Sequence, residues 1–309
     1  MGIFNIFGSL FGYILWAAYY LVSNFGIAII IFTLVFKVVL FPTSVKQQRS
    51  MAATAKLQAK QKELKERYGN DKQKYNEEMQ KLYAKENVKP FGGCLTSIFP
   101  MFIMLGIYYA VIQPLSNVIH ISAEKVSDLT NALNSIPGVA VNAGGSIYGE
   151  IDILRIFDSA GSLPESVTSI LTGDELEKVY SLSGGFKFLG LDLLGTPNTA
   201  GGWLLLIPIL CLVTSVGTQI ITMFMKGSPM SNQRGCMRFM FLALPLLTAW
   251  IAYTVPAAVG FYWIWSTLFG FAQTMIMTKF YSPDKINAET EARHVARLEL
   301  DEKQVKRLY

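Results

Sequence analysis

Four long runs of this chain contain no Asp, Glu, Lys or Arg: residues 1–36, 90–123, 193–225 and 239–278. Each exceeds the roughly 20 apolar residues that cross the hydrocarbon core of a bilayer. With 51% hydrophobic and 16% charged residues and a mean hydropathy of +0.35, the pattern predicts an all-α integral membrane protein. A soluble enzyme, a disordered tail and a secreted disulfide scaffold are set aside. Cys94, Cys211 and Cys236 fall in or beside the uncharged runs, so no disulfide framework is implied. The first run has neither the basic start of a secretory signal nor a cysteine for lipid attachment; no cleaved leader and no lipoprotein are expected.

The fourth run has 40 residues with Pro256 near its middle, long enough for two helices separated by a helix breaker. In the first run, Ile3, Phe7, Leu10, Phe11, Ile14, Ala18 and Leu21 share one helical face, and Asn5, Ser9, Gly12, Trp16, Tyr20 and Ser23 share the other. That asymmetry predicts an interfacial amphipathic helix over residues 1–23; without a cationic face to anchor it, a crossing helix over 3–22 stays open. Five spans follow, at 24–42, 95–115, 203–225, 238–255 and 258–280. Between them lie a helical hairpin (43–92), a long loop (116–201) and a short loop (226–237), and a tail (281–309) ends the chain.

Loop charge orients the spans. Residues 42–95 carry 12 bases against 6 acids, 226–238 carry 3 bases and no acid, and 116–201 carry 4 bases against 10 acids. The positive-inside rule puts the two basic loops in the cytoplasm and the acidic loop outside. A multi-pass protein of the cell membrane is expected, with the N-terminus outside and the C-terminus cytoplasmic.

Residues 44–86 are rich in helix formers and broken only at Tyr68-Gly69-Asn70-Asp71, with Asn70 and Gln73 spaced as a capping pattern. Such a cytoplasmic hairpin is either a solvated strut or a surface that receives another chain, and its length favours the second. The outer loop mixes Gly and Ser clusters with short helix candidates and reads equally as a small lid or a loose cap. From Lys279 to Tyr309 the chain carries 7 bases to 6 acids, a balance that gives little basis for binding ribosomal RNA.

Enzyme chemistry has no obvious seat. His120 and His294 belong to no metal-protease pattern, no acid lies within a proposed span, and no glycine-rich phosphate loop is present. No catalytic residue, metal or cofactor is therefore expected. Lys37 is the one formal charge inside a proposed span, Arg238 and Lys279 standing at the ends of theirs. A mid-bilayer lysine costs about 2.5–3.5 kcal/mol on insertion scales, so it should face protein or water, unless it snorkels past Pro42 to the headgroups. Thr33 one turn away, Thr214, Thr218 and Gln219 on the third span, and Ser266, Thr267 and Gln273 on the fifth make a wet cavity the more economical account; helix–helix glue is the alternative.

Three motifs carry a family resemblance: NFGIAIIIFTLVFKVVLFPTSVKQ at residues 24–47, LYAKENVKPFGGC at 82–94 and PAAVGFYW at 256–263. Together they resemble the YidC/Oxa/Alb membrane protein insertases, of a short, Gram-positive-like type. The resemblance implies a five-transmembrane-helix insertase core with an N-terminal interfacial helix and a cytoplasmic hairpin. It also implies a hydrophilic groove, open to the cytoplasm and to lipid, that receives nascent hydrophobic segments and releases them sideways, alone or with the Sec translocon. Where the family carries an arginine this chain has Lys37, which keeps the charge and loses the planar fork. LTSIFPMF at 95–102 departs from the family's LPLLIQMP, and the outer loop is long for the short type. The expected groove residues are Lys37, Thr33, Gln219, Thr218, Trp263, Tyr262 and Ser266. Nascent membrane proteins and the lipid bilayer are the implied partners, with ribosome and Sec translocon as candidates and no specific nucleic-acid sequence. The competing reading is a small-solute transporter or channel, whose inverted repeats are not evident; a passive assembly scaffold is a third.

Overall fold

The computed structural model describes residues 3–68, 71–85, 103, 105–139, 141, 148–160, 162–225 and 235–308. The KPFGGC turn, residues 95–102 and 104 of the second proposed span and most of the 226–237 loop lie outside the described residues. Two compact units share the chain: residues 1–37 with 100–271, and residues 38–99 with 272–309.

The first unit begins with α1 (Ile3–Val22), followed by α2 (Phe25–Val39). Ser23 takes a left-handed φ of 49° between them, and Asn24 caps α2 by accepting from the Ile27 amide at 3.2 Å. The sequence pattern groups Leu10, Phe11, Ile14, Ala18 and Leu21 on one face of α1. The helix instead turns Phe11, Leu15, Ala18 and Tyr19 inward and leaves Leu10, Tyr13, Tyr20 and Leu21 exposed. The reason is the pair Gly8 and Gly12, one turn apart. A Cβ at Gly8 would lie 2.8 Å from the Tyr109 Cβ, and one at Gly12 would overlap the Asn117 carbonyl. Glycine at i and i+4 lets two backbones approach, so the face that reads as polar is a packing face.

Residues 105–112 are helical and run through a π-helical turn, Leu115–Ile119, that ends at His120 in the left-handed region. Three further helices follow, α5 (Ala123–Asn134), α6 (Gly149–Ser159) and α8 (Gly173–Gly185), with one turn of helix, α7 (Glu165–Thr168), between the last two. Each of the three longer helices buries one apolar stripe: Leu129 and Leu133, then Ile153, Leu154 and Phe157, then Val179 and Leu182. The segment expected to be a loop over 116–201 is thus a folded cap with a core of its own. Its only non-helical ladder among the described residues is a two-stranded antiparallel hairpin, β1 (Lys187–Phe188) and β2 (Leu191–Asp192).

The hairpin and its flanks tie the cap to the long helices. Phe186 stacks on Phe25 with centroids 4.0 Å apart, and Phe188 packs against Phe261. Tyr19 donates from its hydroxyl to the Ser181 carbonyl. After α9 (Pro197–Ala200) and a 3-10 turn (Gly202–Leu205) come α10 (Leu206–Met225), α11 (Gly235–Thr254) and α12 (Ala257–Phe280). Pro256 separates the last two, and the first α12 amides, Ala257 and Ala258, donate to the Gly195 and Leu193 carbonyls at 2.8 Å. Among the described residues, Gly202–Met225 is the one helix that by itself is long and apolar enough to cross a membrane. Residues 25–39 pass that test only together with 41–49.

The second unit contains α3 (Phe41–Tyr68), α4 (Lys72–Lys85) and α13 (Pro283–Leu308). α3 and α4 form a hairpin joined by a Gln61 amide donating to the Tyr83 hydroxyl at 3.1 Å. The cap of α4 is Asp71, which accepts from the Gln73 and Lys74 amides; Asn70, the expected cap, lies outside the described residues. Leu64, Tyr68, Tyr75, Met79, Leu82 and Tyr83 are all half-buried, so the pair has an apolar seam. α13 meets α3 through an Arg49–Glu289 ion pair at 3.6 Å.

Candidate functional site

Lys37 lies in the last turn of α2, where Thr33 is the one other polar side chain of the helix. Its half-buried side chain reaches the α12 backbone at Gly270, where a Cβ would stand 3.3 Å from Nζ. The ammonium therefore rests against a helix face rather than leaving along its own. Gly270 is what makes room: any longer side chain there would compete for the position that the charge occupies. Among the described residues no carboxylate pairs with Lys37.

The α12 face that carries Gly270 also carries Tyr262 and Ser266, at successive intervals of four residues and therefore on one stripe. Tyr262 is buried and hydrogen-bonded, side chain to side chain, to Ser266. On α2, Thr33 is 2% exposed and donates to the Ile29 carbonyl at 2.6 Å. Its hydroxyl is thereby committed to its own helix, with a lone pair left for an incoming donor. Behind Thr33, Phe11, Phe32 and Phe36 form an edge-to-face cluster, with Phe11 5.0 Å from Phe36.

On α10, Thr214, Thr218 and Thr222 form a ladder in which each hydroxyl donates at 2.7 Å to the carbonyl four residues earlier. Back-bonding of this kind hides the donor and gives a hydroxyl stripe that an apolar segment can slide along. Gln219 beside it is half-buried, as is Trp263 on α12. Among the described residues no hydrogen bond or ion pair joins Lys37 to Thr218, Gln219 or Trp263. Of the seven expected site residues, the structure sets Lys37 against the helix stripe of Tyr262 and Ser266 and keeps Thr33 one turn along α2. Thr218 and Gln219 belong to a separate helix face.

Two features of this region have no counterpart among the expected residues. Gly270 sits inside an apolar run and becomes visible only through the distant Lys37. Trp265, two residues from the expected Trp263, has a buried indole N–H without a partner among the described residues, on the helix that faces Lys37. Close packing elsewhere fixes these helices. Cys211 donates to the Gly260 carbonyl at 3.2 Å, and a Cβ at Gly260 would stand 2.5 Å from Ile207, so the glycine of PAAVGFYW serves helix contact.

A family model described as 60Kd inner membrane protein matches residues 17–285. Among curated proteins, the chain is 48% identical over 93 residues to a membrane protein insertase YidC from Saccharophagus degradans, covering 30% of this chain and 17% of that protein. A membrane protein insertase YidC from Cellvibrio japonicus is 48% identical over 91 residues, 29% of this chain and 16% of its own. One from Haemophilus influenzae strain PittEE is 43% identical over 93 residues, again 30% and 17%. The matched stretches thus span less than a fifth of these relatives.

Proposed function

The chain belongs to the 60Kd inner membrane protein family, that of the YidC/Oxa/Alb insertases, which is not a family of enzymes, and from this premise we propose that it is a membrane protein insertase and chaperone. It acts in the cell membrane as a five-span core with the cap outside and the hairpin and tail in the cytoplasm, the arrangement that loop charge supports. A nascent hydrophobic segment meets the charged hairpin and the polar flank of that segment enters the groove. Lys37 holds acidic groups on the flank while the apolar helix leaves sideways into lipid. Burying apolar side chains drives the process at about 0.8 kcal/mol per CH₂, so neither nucleotide nor cofactor has a part in it. Substrates are short or acidic-tipped chains delivered by the ribosome, with or without the Sec translocon.

The observation that carries this reading is the lysine ammonium lying against Gly270 within an apolar helix set. A charge kept there is costly and is retained for an oppositely charged visitor. Photo-crosslinking probes at Gln219 and Trp263, with ribosome-bound nascent chains of a single-span protein, test it. Adducts should form at both positions and be scarce at Leu247, which is exposed on α11. Equal yields at all three positions would reduce the groove to random lipid-phase encounter.

A further inference from the structure

A cavity of about 700 Å³ opens between α1, the π-helical turn and the start of α5, far in sequence from Lys37. Ser9, Leu10 and Tyr13 contribute from α1, Ser116 and Asn117 from the turn, and Glu150 from the first turn of α6. The π turn creates the space, because its wider ring pushes the backbone out, and the left-handed His120 then carries the chain away from α1. One wall is rigid: the His120 ring stacks on Tyr13 at 3.5 Å, and its Nδ1 lies 3.3 Å from the Ser9 hydroxyl.

Glu150 is the one acidic or basic residue in this lining. It is 8% exposed. It accepts from the Ser116 amide at 2.9 Å and the Ser116 hydroxyl at 2.5 Å, and from the Leu115 amide. Three donors leave part of the capacity of a carboxylate unused. Among the described residues no lysine, arginine or histidine pairs with it. Burial pushes its pKa up, opposed by these hydrogen bonds, so a cation in the cavity would supply what the fold omits. The other side of the cavity is greasy. Leu10 and Ile14, one turn apart on α1, are 55% and 36% exposed and extend the lining outward as an apolar track.

We propose that the cavity binds the headgroup of an aminophospholipid, phosphatidylethanolamine, with its ammonium on Glu150 and its acyl chains along Leu10 and Ile14. A primary ammonium offers the N–H donors that a carboxylate accepts. A quaternary choline has none and relies on an open aromatic face, and one face of Tyr13 is already covered by His120. A free amine would leave the apolar track unused. This site rests on the reading of α1 as a helix at the membrane interface and not on the insertion activity.

Native mass spectrometry of the full chain, released from detergent with equimolar phosphatidylethanolamine, phosphatidylcholine and phosphatidylglycerol, tests the proposal. The wild type should retain the ethanolamine lipid about tenfold over the others, the worth of one charge-assisted hydrogen bond. Glu150→Gln, which can still accept from Ser116, should lose that preference. So should Ala123→Trp, which fills the cavity from an exposed lining position and leaves the Glu150 contacts in place; unchanged melting temperatures verify folding. Equal retention of the three lipids by the wild type, or preference persisting in either variant, overturns the proposal. Full displacement by free ethanolamine would also overturn it, since the track would then contribute nothing. A wild type that keeps the lipid preference but inserts no substrate would instead count against the insertase reading.

Discussion

Gly270 offers a way to move the Lys37 charge without touching the lysine. An alanine there would place its methyl 3.3 Å from Nζ, a contact that the flexible end of a lysine relieves by shifting a few tenths of an ångström. A leucine would occupy the volume of the ammonium itself and push it about one side-chain diameter away. If a carboxylate on the substrate binds at about 4 Å and is left at about 7 Å, the attraction at an effective dielectric near 20 falls by about 2 kcal/mol, or roughly twentyfold. Insertion of a single-span substrate into vesicles, with either an acidic or a neutral translocated flank, reads the effect. Gly270→Ala and Lys37→Arg should behave nearly as wild type for both substrates. Gly270→Leu and Lys37→Ala should slow the acidic substrate by an order of magnitude and the neutral one little. Equal slowing of the two substrates by Gly270→Leu would refute the electrostatic argument and leave a packing defect as its cause.

Phe186→Ala, removing a fully buried ring stacked on Phe25, should destabilise the cap by about 3–5 kcal/mol in denaturant unfolding, whereas Leu189→Ala at an 88% exposed position should be nearly silent. Burial holds the His120 imidazole below its ordinary pKa, so the unfolded chain takes up the proton first. The contribution of His120 is intact above about pH 6.5 and is lost as pH falls through and below it. The protection of amides over residues 9–15, taken relative to intrinsic exchange at each pH, should fall between pH 7.5 and 5, and His120→Phe should abolish that difference. Deleting residues 58–80 from the α3–α4 hairpin should block integration of a small single-span substrate while α10 to α12 remain folded; undiminished integration would make the hairpin a strut.

The sequence carried the membrane class and the family, because both rest on local signals: uncharged runs, and motifs such as PAAVGFYW. Pro256 is likewise local, and α11 ends at Thr254 while α12 begins at Ala257. What pattern could not supply is pairing across long separations. The cap core depends on Phe25 meeting Phe186 and on Gly26 leaving room for Phe188, contacts that no periodicity encodes. The inner face of α1 departs from its hydrophobic pattern because residue size decides the contact there; Gly8 and Gly12 are the signal, and a hydrophobicity scale gives them no weight. At the candidate site, Lys37 is conspicuous by its charge. Gly270, which determines where that charge rests, has no side chain to attract notice.

The two hydrogen bonds from Ala257 and Ala258 to the carbonyls of Gly195 and Leu193 impose an order on the birth of this molecule. In hydrocarbon, a stranded amide costs several kcal/mol, and the acceptors for these two come from a segment made some sixty residues earlier. On the proposed topology, the last span would settle at full depth only after the cap had crossed, folded and turned those carbonyls toward the membrane. A truncated cap would therefore leave α12 shallow or tilted at birth even though every apolar residue of that helix is intact.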